Sequence, residues 1–138
     1  MTVYLDTSVV VAAFTPDVHS EAAEDWLLQS EVFVVSDWAA AEFSAAIRNK
    51  VRQGVVAANK LEMIEAAFNR WATGAGGSKP VFAQDHVAAR ALVTRWTLLR
   101  APDALHIAIA LRLADRFGTF DERQAEAAFA EGLLRYAP

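Results

Sequence analysis

Four acids stand where the surrounding pattern calls for apolar residues. Asp6 ends the run Val3-Tyr4-Leu5, Glu42 lies inside Trp38-Ala39-Ala40-Ala41-Glu42-Phe43, Asp103 precedes Ala104-Leu105-His106-Ile107-Ala108, and Asp121 follows Gly118-Thr119-Phe120. Each has a structural reading of its own. Asp6 can cap a helix together with Thr7 and Ser8, Asp121 can form a capping box with Gln124, and Asp103 suits the first turn of a helix dipole. Glu42 has no such role, because its helical neighbours are Trp38, Ala39, Ala45 and Ala46. An acid on an apolar face raises its pKa, finds a partner or binds a cation. The spacing leads us to expect no Lys or Arg one helical turn from any of the four. His106, one turn beyond Asp103, is expected to hydrogen-bond it.

Taken together, the four suggest a site. We expect them to converge, with divalent metal ions completing the cluster. Two unit charges about 4 Å apart repel by roughly 4 kcal/mol at an effective dielectric of 20, so four carboxylates cannot share a pocket uncompensated. The only lysines, Lys50, Lys60 and Lys79, lie away from the expected strand ends. Hard oxygen donors point to Mg²⁺ or Mn²⁺, and the absence of cysteine removes thiolate zinc sites and disulfides.

The elements that must position these acids alternate along the chain. Thr2 to Leu5 reads as a buried parallel strand, followed by a short helix over Val9 to Phe14. A second helix is expected from Glu21 to Gln29 and a second strand at Val32 to Val35. Ser36 or Asp37 caps a long helix ending at Gly54, and Leu61, Ile64, Phe68 and Trp71 stripe the next one. A third strand is expected at Pro80 to Ala83, with a helix from Asp85 to Trp96. Pro102 opens a helix apolar on nearly every face, and such a helix is normally buried. A strand near Phe117 to Phe120, a helix from Glu122 to Glu131 and a last strand at Leu133 to Tyr136 complete the chain. Alternating strands and helices imply right-handed crossovers. The expected fold is a single α/β domain over residues 1–138, a three-layer α/β/α sandwich with a parallel sheet of about five strands. Ligands in such folds gather at the carboxyl ends of strands. Asp6 and Asp121 fall at two such ends.

Composition sets the outer bounds. The chain has 138 residues, 54% of them hydrophobic, which excludes disorder. Its net charge of -4 does not advertise a nucleic-acid binder, although a cluster of metal-binding acids would itself lower the total. No basic leader and no membrane-length apolar run stand near the N-terminus, so a cytoplasmic protein is expected, with no membrane partner. Other motifs are weaker. Asp17-Val18-His19 reads as a surface loop, His86 as solvated, and Gly74 to Ser78 as a connector, because it follows a helix and precedes a strand. Trp26, Trp38, Trp71 and Trp96 read as core or partner-interface residues, and Arg48, Lys50 and Arg52 as a solvated face.

In their order, Tyr4-Leu5-Asp6-Thr7-Ser8, Val34-Val35-Ser36 leading to Glu42-Phe43, Asp103-Ala104-Leu105-His106-Ile107-Ala108 and Thr119-Phe120-Asp121-Glu122-Arg123 resemble the PIN-domain family. Within it they are similar to VapC-type toxins of bacterial toxin–antitoxin pairs. The resemblance implies a metal-dependent endoribonuclease that hydrolyses RNA phosphodiester bonds. It makes Asp6, Glu42, Asp103 and Asp121 the acidic residues, with Thr7, Ser8 and Thr119 as polar support. It also implies a VapB-type antitoxin laid over the first helices, and a homodimer. One departure is the polar, glycine-bearing Asp115-Arg116-Phe117-Gly118, where the family carries an apolar strand. Two other readings compete. A PIN-like module that binds RNA or a partner without catalysis keeps the fold, and the set of four acids argues against it. A receiver-like signalling domain needs an acidic pair after the first strand and a lysine after the last, and this chain has neither.

Overall fold

The computed structural model describes all residues, Met1–Pro138. Four strands and seven helices follow in the order β1 (Thr2–Leu5), α1 (Thr7–Phe14), α2 (Ser20–Leu27), β2 (Val32–Val34), α3 (Asp37–Arg52), α4 (Leu61–Gly74), α5 (Ala83–Arg95), α6 (Ala101–Leu113), β3 (Arg116–Gly118), α7 (Glu122–Ala130) and β4 (Leu134–Arg135). A single 3₁₀ turn, Ala58–Lys60, leads into α4. The strands form one parallel sheet in the order β2-β1-β3-β4.

Period-two alternation along the central strand divides the core. Val3 and Leu5 of β1 face α1, α3 and α4, packing with Val9, Phe43, Ile47 and Phe68. Tyr4 points to the opposite layer, where Leu92, Ile107, Ile109 and Phe117 surround it. Both faces of the sheet are covered, which is why β1 reads as an unbroken apolar run. Helix α6 behaves as its sequence demands, with all seven residues from Ala104 to Ala110 buried. Its far end is tied to α5 by Arg112, whose guanidinium donates to both oxygens of the buried Asp85 at 2.9 and 2.7 Å.

The fold class is that expected, with one strand fewer. Pro80 to Ala83 does not join the sheet. Lys79 alone makes a bridge to the Ser36 position, with its N–H on the Val35 carbonyl at 2.9 Å and its own carbonyl accepting from Asp37 N at 2.8 Å. Pro80 then has no N–H to donate to a ladder. The N–H of Phe82 goes to the Asp85 carboxylate at 2.8 Å, which closes the first turn of α5.

In β3, Gly118 leaves room for the side chain of Leu5 on β1. A Cβ there would stand 2.8 Å from Leu5 Cδ2. The glycine that departs from the family's apolar run is thus the residue that makes space for a core side chain of the neighbouring strand, with Gly118 opposite Leu5. All strands being parallel, their carboxyl ends share one edge of the sheet. Asp6, Ser36 and Thr119 leave from that edge.

Candidate active site at the carboxyl ends of the strands

Asp6 follows β1 and caps α1, accepting a hydrogen bond from Ser8 N through Oδ1. Its Oδ2 accepts from the Thr119 hydroxyl at 2.8 Å, from the end of β3. The residue is only 5% exposed and has no cationic side chain paired with it. Burial pushes its carboxyl above the usual range, although the nearby His106, Thr119 and Ser8 all oppose that rise.

Thr119 organises the next layer. Its hydroxyl lies 2.8 Å from Gln124 Oε1 as well as from Asp6, and it accepts the N–H of Asp121 at 3.1 Å. Asp121 caps α7 through Gln124 N at 3.1 Å. The Gln124 side chain, 1% exposed, reaches across to the Asp103 carbonyl at 3.3 Å instead of returning to Asp121 as a capping box requires. Ser8 Oγ accepts the N–H of Phe120 at 3.3 Å and lies 3.5 Å from Thr119 Oγ1. Asp6, Asp103 and Asp121 are thus joined through Thr119 and Gln124.

Asp103 is partly buried at the start of α6. Burial raises its carboxyl above the usual range, Arg100 opposes this, and the charge of Asp121 reinforces it. Arg100 Nε stands 3.4 Å from Asp103 Oδ2, at i−3 on the same helical turn. The expectation that no basic residue lies one turn from an acid therefore fails for Asp103. Arg100 is 78% exposed, so this pair is screened by water and worth little.

Glu42 also differs from expectation, because it is not unpaired. Its Oε1 accepts from the Thr7 hydroxyl at 2.6 Å and from His106 Nε2. Burial raises its carboxyl, but the bonds from His106 and Thr7 outweigh that and hold it below the ordinary value. His106 turns to Glu42 and away from Asp103. Its Nδ1 lies 2.7 Å from Tyr4 Oη, which lies 2.7 Å from Ser36 Oγ, which accepts from Ala39 N at 3.0 Å. Every buried polar side-chain atom here has a partner.

The structure therefore places Asp6, Glu42, Asp103 and Asp121 at one edge of the molecule, with Thr7, Ser8, Thr119 and His106 between them. It does not gather them into a ready cage, since no three His, Asp or Glu side chains stand close enough to hold one ion together. The donor set nonetheless suits a hard divalent cation. It offers carboxylate oxygens alone, and the Asp6 carboxylate is almost wholly out of water with no cation opposite it. Sequence reading missed four participants: Tyr4, Ser36, Gln124 and Arg100. The last was visible at helical spacing. Tyr4 and Gln124 looked like core and cap residues because nothing local shows where a hydroxyl or an amide will point.

A model of the PIN domain matches residues 3–130. The chain belongs to the PIN domain family. Two solved structures share the PIN fold with it. Mycobacterium tuberculosis VapC20, a Sarcin-Ricin loop cleaving toxin, superposes with a TM-score of 0.67 at 17% identity, covering 99% of each chain. FitAcB from Neisseria gonorrhoeae gives 0.65 at 19% identity, covering 97% of this PIN domain and 96% of that chain. No curated protein sequence matches this PIN domain. No helix of this PIN domain is long and apolar enough to cross a membrane.

Proposed function

We propose that this PIN domain is a divalent-metal-dependent endoribonuclease, the toxin of a VapBC-type toxin–antitoxin pair. One observation carries the reading. Asp6 is a desolvated carboxylate without a cationic partner, and its second contact, Thr119, meets the backbone N–H of Asp121 and, through Gln124, the backbone carbonyl of Asp103. A fold does not pay for an uncompensated buried acid unless a ligand or a proton restores the balance. The likeness to VapC20 supports the choice of RNA as substrate.

In this reading Asp6 and Asp103 hold Mg²⁺ or Mn²⁺, with Asp121 and Glu42 completing the acidic set. When bound, the ion lowers the pKa of a water and neutralises charge on the scissile phosphate. The protein's own residues prepare the site. Ser8 N and Thr119 fix both oxygens of Asp6, so its carboxylate plane is set before substrate arrives. Glu42, anchored through Oε1, presents its other oxygen to ligate or to orient a water. The exposed Arg100 guanidinium lies beside Asp103, where it can meet a phosphate oxygen. Unpaired RNA suits such an open edge, because its backbone and bases are accessible. A VapB-type antitoxin and a second copy of the chain are the partners, and the cytoplasm the compartment, that belong to this reading.

The experiment is cleavage of a mixed RNA pool with Mn²⁺, with Mg²⁺ and with EDTA. Asp6→Asn and Asp103→Asn are each expected to lower cleavage by at least about 10²-fold, the loss of several kcal/mol of charge stabilisation. Cleavage in EDTA, or full activity in both variants, rejects the mechanism. RNA binding without cleavage under any of these conditions favours the binding module.

A further inference from the structure

Glu42 is held by only one of its oxygens. Oε1 takes both the Thr7 hydroxyl and His106 Nε2, while Oε2 accepts no protein hydrogen bond and the side chain is 28% exposed. A carboxylate fixed in this way keeps one oxygen for the protein and leaves the other for whatever enters the site. The question is what fixes the ring that fixes the acid.

The answer runs through the sheet. The ionised Glu42 can only accept, so His106 Nε2 carries the hydrogen of that bond. Ala39 N–H can only donate, and Ser36 Oγ receives it at 3.0 Å. The Ser36 and Tyr4 hydroxyls lie 2.7 Å apart, and Tyr4 Oη lies 2.7 Å from His106 Nδ1, so hydrogen bonds run unbroken from Ala39 to the ring. Every member of this chain behind Glu42 is out of water: Ser36 and Tyr4 are 0% exposed and His106 is 2% exposed. The Tyr4 ring is held in turn by stacking on Phe117 of β3, with centroids 5.7 Å apart and planes 6° from parallel. Buried networks with every member satisfied rigidify a site, and such a second layer is what keeps a reacting group in register.

We propose that His106, locked by Tyr4 and Ser36, is a positioning residue that orients Glu42 so that Oε2 alone faces the substrate. This rests on the endoribonuclease reading for its consequence in turnover, though not for its geometry. Asp103 needs no help from this ring, and the histidine at one turn's spacing serves an acid on a different helix.

The test compares His106→Gln with His106→Asn. The Gln amide nitrogen lies the same number of bonds from Cβ as Nε2, whereas the Asn amide nitrogen matches Nδ1. His106→Asn therefore loses the donor to Glu42, and His106→Gln restores it. On the RNA pool with Mn²⁺, His106→Asn is expected to lower kcat by about 10²-fold, the scale of misplacing a reacting group by 1 Å. KM should stay unchanged, and His106→Gln should recover most of the loss. A second readout needs no turnover. The ¹³C carboxyl signal of Glu42 should move in His106→Asn and return towards wild type in His106→Gln. Tyr4→Phe should shift the ¹⁵N signals of the His106 ring. Equal kcat for Asn and Gln, an unmoved Glu42 signal in His106→Asn, or unchanged ring signals in Tyr4→Phe overturns the proposal. If wild type cleaves no RNA, the nuclease reading fails and the two NMR measurements still decide the positioning.

Discussion

Asp6 is the residue on which charge and stability meet most directly. Its carboxyl is raised above the ordinary 3.8, so between that value and the raised one the folded chain binds a proton that the unfolded chain has released. Stability therefore falls as pH rises through that window and stays lowered above it. Asp6→Asn removes the charge, keeps one oxygen to accept from Ser8 N, and turns an amide N–H to Thr119 Oγ1, whose own hydroxyl still has Gln124 Oε1 to donate to. In metal-free buffer above the window this variant should raise Tm by about 3 °C or more, the scale of roughly 1 kcal/mol in a domain of this size. Near pH 3 the gain should vanish. Mn²⁺ should stabilise wild type by mass action and leave Asp6→Asn unmoved. Thermal melts at several pH values, with and without Mn²⁺, check all three expectations. A loss of stability in Asp6→Asn at neutral pH would mean that the ionised form is well solvated by its hydrogen bonds.

At the scale of the element, β3 shows how a short strand can position a site. Its three residues are paired on both sides, with β1 and with β4, and Gly118 leaves room there for the Leu5 side chain. The strand then hands over directly to Thr119, which holds Asp6 and Asp121. Gly118→Ala would push a methyl to within 2.8 Å of Leu5 Cδ2. It is expected to cost about 1–3 kcal/mol, as overpacking usually does, and urea denaturation measures it. Because the strain falls next to Thr119, cleavage should drop along with stability. Helix α6 makes the complementary case. Its uniform burial fixes Asp103 at its first turn, and the Pro102 that starts the helix also starts the site.

The whole molecule is two cores separated by the sheet, one under α1–α4 and the other under α5–α7. The acidic edge draws from both: Asp6, Thr7 and Glu42 from the first side, Asp103, His106 and Asp121 from the second. Opening either layer must therefore loosen the site. Amide hydrogen exchange should find β1 and the middle of α6 slowest, exchanging only through global unfolding, because Val3, Tyr4, Leu5, Ile107 and Ile109 are all 0% exposed. The amides of β4, whose two residues are both exposed, should exchange sooner. Slower exchange in β4 than in α6 would contradict this ordering.

The sequence by itself determined the layers and the edge. The unbroken apolar run of β1, the all-round apolar character of α6 and the strand–helix order follow from local patterning, and patterning is what burial reads. It also put Asp6 at a strand end, because the apolar run stops there; the other end was expected at Asp121, but β3 stops at Gly118 and Thr119 leaves it. Only the tertiary structure decided which polar group meets which. His106 lies one turn from Asp103 yet bonds Glu42 and Tyr4, because the sheet brings α3 and β1 against its ring. Gln124 looks like half of a capping box, but α6 offers its amide a carbonyl. Pro80 to Ala83 has the composition of a strand, but Pro80 has no N–H and that of Phe82 goes to the Asp85 carboxylate. Hydrophobic periodicity is a one-dimensional signal and survives reading along the chain, whereas a hydrogen bond chooses among neighbours that only the folded register supplies.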